Sequence, residues 1–342
     1  MPQRIRTAIV GYGRSGQLLH GTAARANAEA FDVVAVCNRS QPRLEQARKD
    51  FPGCATFTNL SEMLAAVELD LVVIVTRNDQ HHAMALECLN AGCSILVTKP
   101  LATTAAEVTE IKEAAEANGA VVYPFLPCRW ASDVRRITEI IASGAIGEVF
   151  NIRRTACGFA TRDDWQTQTE FGGGILLNWG PHLIDSPLFV VGQRAKTVYG
   201  ATSQVLNPGD AEDNYFAHLT LADGVRVFSE WTFVPTGLPN WFVQGTGGCI
   251  MVTGRELKLV TGTPAKPDDP TDTKAMLGGD LTESEETLGE HVFGDSAEVY
   301  ADLAQAIRGD AAFPADIDDA LHIARVIDAI KASQHTRTLI EV

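Results

Sequence analysis

Short apolar runs alternate with longer amphipathic stretches through the first third of the chain. TAIV (7–10), VVAVC (33–37), LDLVVIV (69–75), CSILV (93–97) and VVYPF (121–125) are rich in β-branched residues, and segments between them, such as LLHGTAARANAEA and PRLEQARKDF, carry helical spacing. Strands covered by helices on both faces read as near-continuous apolar runs, so this pattern predicts a parallel, doubly wound α/β sheet over residues 1–124.

The period then changes. After the helical segment DVRRITEIIASGAIGEV, the runs FNIRRTAC, KTVYGAT, YFAHLTLADGVRVFSEWTF, CIMVTG and ELKLVTG alternate, with ADG at 222–224 as a hairpin signal. They predict an α+β domain over 125–342 with a large, mostly antiparallel open sheet. The Pro-, Asp- and Thr-rich stretch 263–290 lacks periodicity and reads as a surface loop. Two helical segments follow, SAEVYADLAQAIRG and DIDDALHIARVIDAIKAS; the second, about 315–333, is expected to pack back on the first domain.

Composition narrows the class. The net charge of -15 argues against a nucleic-acid or anionic-membrane partner, since such binding rests on attraction to phosphate. No apolar stretch approaches the roughly 20 residues that cross a bilayer, and two N-terminal arginines lead directly into the first strand, so a cytoplasmic protein is expected. The seven cysteines show no zinc-ligand spacing and read as buried thiols.

The chemistry begins at GYGRSG, where Gly11, Tyr12, Gly13, Arg14, Ser15 and Gly16 join a strand to a helix. Three glycines at this spacing permit a tight turn, close approach of backbone to pyrophosphate, and contact between helix and strand. The second strand ends at Asn38, Arg39 and Ser40, with Arg43 one turn on, where NAD-preferring sites carry an acid. An amide, two guanidiniums and a hydroxyl all donate to a phosphate, which points to NADP among the NAD(P) cofactors.

The run LVVIVTRNDQHHAMALECLNAGCSILVTKPLATT (71–104), with SGAIGEV (143–149) and GGGILLNWGPHLID (172–185), resembles the Gfo/Idh/MocA oxidoreductases. The family's Glu-Lys-Pro motif reads here as Thr98, Lys99 and Pro100. Its Asp-x-Gly-x-His pattern reads as Asn178, Trp179, Gly180, Pro181 and His182. The resemblance implies hydride transfer between nicotinamide and a secondary alcohol or ketone of a sugar, inositol or sugar derivative. It implies His182 as proton shuttle, Lys99 as the group that contacts substrate oxygen and nicotinamide ribose, Pro100 beside it at the cofactor, and Thr76, Asn78 and His81 near the nicotinamide. Asn178 is expected to orient substrate. As an amide it takes no proton and lends the histidine no charge. Arg129, Trp130 and Trp165 are further substrate candidates, beside Asp163 and Asp164. A homodimer or homotetramer through the second sheet is also implied.

Four residues separate Asn178 from His182, which on one helix would give them a shared face; Pro181 requires that the helix start near residue 180 or kink there. Two other readings stand beside the dehydrogenase: a glycosidase or lyase that uses bound NAD for transient oxidation, and a non-catalytic dinucleotide sensor.

Overall fold

The computed structural model of the protein describes residues 3–263, 265, 271, 278–291 and 294–342. Among them, the first sheet holds β1 (Ile5–Val10), β2 (Phe31–Cys37), β3 (Ala55–Phe57), β4 (Leu71–Ile74), β5 (Ser94–Thr98) and β6 (Val122–Phe125). Their order is β3-β2-β1-β4-β5-β6 and every pair is parallel. The chain reverses its direction of travel across the sheet between β1 and β4. At such a switch point the loops leaving the two strands diverge and open a crevice at the carboxyl edge.

Alternate residues of β1, β4 and β5 enter two separate cores. Val72 and Ile74 join α3 (Leu60–Ala66), α4 (Asn78–Asn90) and α5 (Ala105–Asn118), while Leu71 and Val73 join α1 (Thr22–Ala26) and α2 (Gln41–Asp50). The second face is completed from far along the chain by α9 (Ser296–Arg308), whose Val299, Tyr300 and Leu303 are fully buried.

The second sheet, in the order β14-β13-β12-β11-β7-β10-β9-β8-β15, comprises β7 (Val149–Gly158), β8 (Ala195–Ser203), β9 (Asn214–Leu221), β10 (Arg226–Phe233), β11 (Trp241–Gly245), β12 (Gly248–Thr253), β13 (Glu256–Thr263), β14 (Asp280–Thr287) and β15 (Ile340–Glu341). Only β7 and β10 pair in parallel. One face is covered by α6 (Ser132–Ala142), α7 (Ile175–Asn178), α8 (Gly180–Val191) and α10 (Ile317–Thr336). In β9 the inward residues Tyr215, Ala217, Leu219 and Leu221 are buried, while Phe216 and His218 face the uncovered side. Helix α10 contributes Ala320, Leu321 and Ala324 to the core of the first sheet and Ile323, Val326 and Ile330 to that of the second, which ties the two together.

The reading of 263–290 as a loop is corrected at its C-terminal end. Residues 280–287 form edge strand β14 against β13, whereas 264, 266–270 and 272–277 lie outside the described residues. All eight residues of β14 are exposed, so no apolar alternation betrays the strand. Cys157 and Cys249 are half-buried and the other five thiols buried. Among the described residues, no helix is long and apolar enough to cross a membrane.

Candidate functional site

A single cleft of about 1150 Å3 runs from the carboxyl edge of the first sheet to the inner side of the second. It begins at the glycine loop. Gly11 sits at φ 95°, and a Cβ there would lie 2.3 Å from Val75 O. A Cβ on Gly16 would lie 2.0 Å from Gly11 O. Gly13 lines the cleft and has open space where a Cβ would point. Strand, turn and helix are therefore packed to contact, while the middle glycine leaves room for a ligand to meet the backbone, together with Arg14 and Ser15. This geometry fits a pyrophosphate at a helix N-terminus.

At the far end the cleft is lined by Asn38 and Arg39, with Asn59, Ser61 and Glu87. The Asn38 side chain accepts from Ser40 N at 2.8 Å and so shapes the turn that presents Arg39. Three expectations are corrected here. Ser40 and Arg43 fall outside the residues that line the cleft, because α2 begins at Gln41 and carries Arg43 away. The Tyr12 side chain points into the core, where its hydroxyl donates to Asp50 Oδ2 at 2.7 Å and its ring meets Phe51.

After β4, Thr76 and Asn78 line the cleft, and Asn78 Nδ2 donates to Gly172 O at 2.8 Å. His81 and Pro100 lie behind it, another correction. His81 is buried, with Nδ1 2.8 Å from Pro100 O and Nε2 3.2 Å from Thr76 O, so it braces the two loops from beneath. The Lys99–Pro100 peptide is cis.

Lys99, Asn178 and His182 meet at the inner end of the cleft. The helix carrying the last two breaks at Trp179, which ends α7 and caps α8, so Pro181 occupies the first turn of a new helix, where its missing N–H costs nothing. Lys99 Nζ donates to both Asn178 O (2.5 Å) and Asn178 Oδ1 (2.8 Å). Asn178 Nδ2 donates to Gln166 Oε1 at 2.7 Å. Both ends of the amide are thus taken by protein groups. Asn178 orients Lys99, and the expectation that it orients substrate is revised. Burial, with a smaller contribution from Arg162, brings the Lys99 pKa down to about 8. Burial and then the Lys99 and Arg154 charges hold His182 well below the usual imidazole range. His182 Nδ1 lies 3.2 Å from Cys128 Sγ.

Of the substrate candidates, Trp165 lines the cleft beside Arg162, Asp164, Gln166 and Trp179. Arg129 and Trp130 do not. Arg129 is buried, with Nη2 2.6 Å from Asp185 Oδ1 and Nη1 2.8 Å from Asp319 Oδ2, and Trp130 Nε1 donates to Asp302 at 2.7 Å. They lock the 3-10 turn Pro127–Trp130 to α8, α9 and α10 instead of meeting a ligand. Sequence reasoning missed Arg162, Gln166 and Cys128. Asp164 and Trp165 flag the loop that holds Arg162 and Gln166, but no local signal marks Cys128.

Residues 5–125 match the family described as "Oxidoreductase family, NAD-binding Rossmann fold" (GFO_IDH_MocA), and residues 134–251 match the GFO/IDH/MocA C-terminal domain. The scyllo-inositol 2-dehydrogenase (NADP(+)) IolW of Bacillus subtilis is 25% identical over 98% of this chain and 95% of its own. The fold is shared with a NAD-binding protein from Listeria innocua (TM-score 0.84, 24% identity, 99% of this chain and 97% of that one). It is shared also with the WlbA dehydrogenase from Bordetella pertussis, solved with NADH and UDP-GlcNAcA (TM-score 0.82, 21% identity, 99% of each chain). With a glycine loop, a lysine and a histidine set along one cleft and both halves matched, the chain belongs to the Gfo/Idh/MocA family of oxidoreductases.

Proposed function

We propose that the protein is an NADP-preferring dehydrogenase or reductase acting on a secondary hydroxyl or ketone of a carbohydrate or cyclic polyol. The observation that carries this reading is the continuity of the cleft from Gly13 and Arg39 to Lys99 and His182. The loop around Gly13 and Arg14, with Arg39, would hold a nicotinamide cofactor, which would supply the hydride acceptor for oxidation and the donor for reduction. Lys99, near its own pKa at neutral pH, takes the hydroxyl proton in oxidation and returns it in reduction. His182, held neutral, lies beside it to hydrogen-bond the same oxygen. In this reading the proton role falls to Lys99, where the family resemblance implies His182.

Arg39 supports the NADP preference, as the cation at the end of β2 where an acid would repel a 2'-phosphate. The IolW relative, whose name specifies NADP, is consistent with it. Trp165 and Trp179 offer flat apolar faces to the C–H side of a sugar ring, and Arg162, Asp164 and Gln166 offer partners for its hydroxyls. The uncovered face of the second sheet carries Tyr199, Phe216, Phe228 and Met251, and this is the surface through which we infer a homodimer or homotetramer.

The test is turnover on a panel of inositols, aldoses and glycosides with NAD and NADP supplied separately, read by nicotinamide absorbance. Reduction of NADP by at least one cyclic polyol or pyranoside, faster than reduction of NAD, is expected. No turnover with either cofactor across the panel, in both directions, overturns the reading.

A further inference from the structure

Among the described residues the His182 ring meets Trp179 edge-on and has one side-chain hydrogen-bond partner, the thiol of Cys128, 3.2 Å from Nδ1. The groups that would otherwise orient the imidazole are committed elsewhere. Asp185 is bound to Arg129, and Asn178 to Lys99 and Gln166. Cys128 is itself buried in the turn Pro127–Trp130, directly after the end of β6. An adjacent ion pair joins the same two elements: Arg129 follows Cys128 in the chain, and Asp185 lies three residues beyond His182 on α8. The pair helps to fasten the turn to the helix.

We propose that Cys128 is the positioning residue of His182, its thiol donating to Nδ1 and leaving the ring proton on Nε2, the nitrogen free to face the cleft. A thiol is a weak donor and a weaker acceptor, whereas the imidazole lone pair accepts well, so S–H to Nδ1 is the favoured sense of the bond. Burial pushes the thiol up to about 12 despite the opposing Arg154 and Lys99 charges, and the neighbouring Asp133 and Asp185 push the same way, so the donor proton is retained at neutral pH. A carboxylate in this place would draw the ring proton to Nδ1 and raise the histidine's basicity. The thiol instead presents a neutral N–H to an incoming carbonyl or alkoxide oxygen. That last consequence rests on the dehydrogenase reading; the tautomer does not.

Nuclear magnetic resonance of protein carrying histidine labelled at nitrogen reads the ring directly, with a His182→Asn sample to assign the signals. The wild-type protein is expected to show a protonated Nε2 and a bare Nδ1 at neutral pH. Cys128→Ser, which keeps a neutral donor, retains that pattern, and Cys128→Ala loses the single tautomer. A protonated Nδ1 in the wild type, or unchanged ring signals in Cys128→Ala, overturns the assignment. Where Cys128→Ala fails to fold, Cys128→Val, which also removes the donor and must likewise lose the single tautomer, carries the test. No substrate enters the measurement, so its failure is distinct from a failure of turnover.

Discussion

Lys99 Nζ places two hydrogen bonds on one residue, Asn178, through its side-chain Oδ1 and its backbone O. Both acceptors are neutral, so they hold the ammonium in place without compensating its charge. Burial therefore lowers the pKa of Lys99 to about 8.

A carboxylate at position 178 would reverse this. Asn178→Asp is expected to raise the Lys99 pKa by about one unit or more, as an opposite charge at hydrogen-bonding distance favours the protonated form. In the wild type, oxidation of the alcohol substrate is expected to rise with pH through about 8 as Lys99 loses its proton. In the variant that limb moves upward, with less activity at pH 7. A profile of kcat/KM against pH with an unmoved midpoint would count against Lys99 as the proton acceptor.

Arg39 lines the cleft at the end of β2, and under the proposed reading it separates the two cofactors. Removing a charged hydrogen-bond donor costs about 1.5–3 kcal/mol, so Arg39→Ala should lower kcat/KM for NADP by about tenfold or more. The value for NAD should change little. Steady-state comparison of the two cofactors checks this, and equal losses for both would assign Arg39 to a shared part of the cofactor.

The Arg129–Asp185 pair is almost wholly enclosed, with 7% and 4% of the two side chains exposed. Asp185→Ala leaves a buried guanidinium short of its main partner. We expect a loss of about 3 kcal/mol, the low end for a broken buried pair, because Asp319 and Pro314 O still bind Arg129. Chemical denaturation measures it. A change below about 0.5 kcal/mol, the size expected of an exposed substitution, would refute the locking role.

Acid should destabilise the protein before its carboxylates titrate. His20 is fully buried against Tyr300 and Phe125, and burial lowers its pKa to about 3. The unfolded chain takes up a proton near pH 6.5 and the folded chain only near 3, so stability falls with decreasing pH between those values. Each such histidine contributes about 1.4 kcal/mol per pH unit. His322, lowered to about 4, acts in the same direction. His20→Gln should flatten the slope of unfolding free energy against pH below 6.5, and an identical slope would show that His20 titrates normally.

Most of the architecture was legible in the chain because its causes are local. Buried parallel strands must be apolar on both faces, and GYGRSG must be glycine where Val75 O and Gly11 O leave no room for a side chain. Strand β14 escaped because an exposed edge strand has no buried face to write into its sequence. Tyr12, Ser40 and Arg43 depart from expectation for a related reason: lying in or near a cofactor loop does not determine where a side chain points.

The sequence by itself determined the two-sheet architecture, the dinucleotide loop and the presence of Lys99 and His182, since periodicity, glycine spacing and motif spacing act over a few residues. Only the tertiary structure decided what those residues touch. It bound Asn178 to a lysine 79 positions away and His182 to a cysteine 54 positions away, and it withdrew Arg129 from the site to hold Asp185. Contacts of that kind depend on how separate elements pack, and short-range spacing carries no information about them.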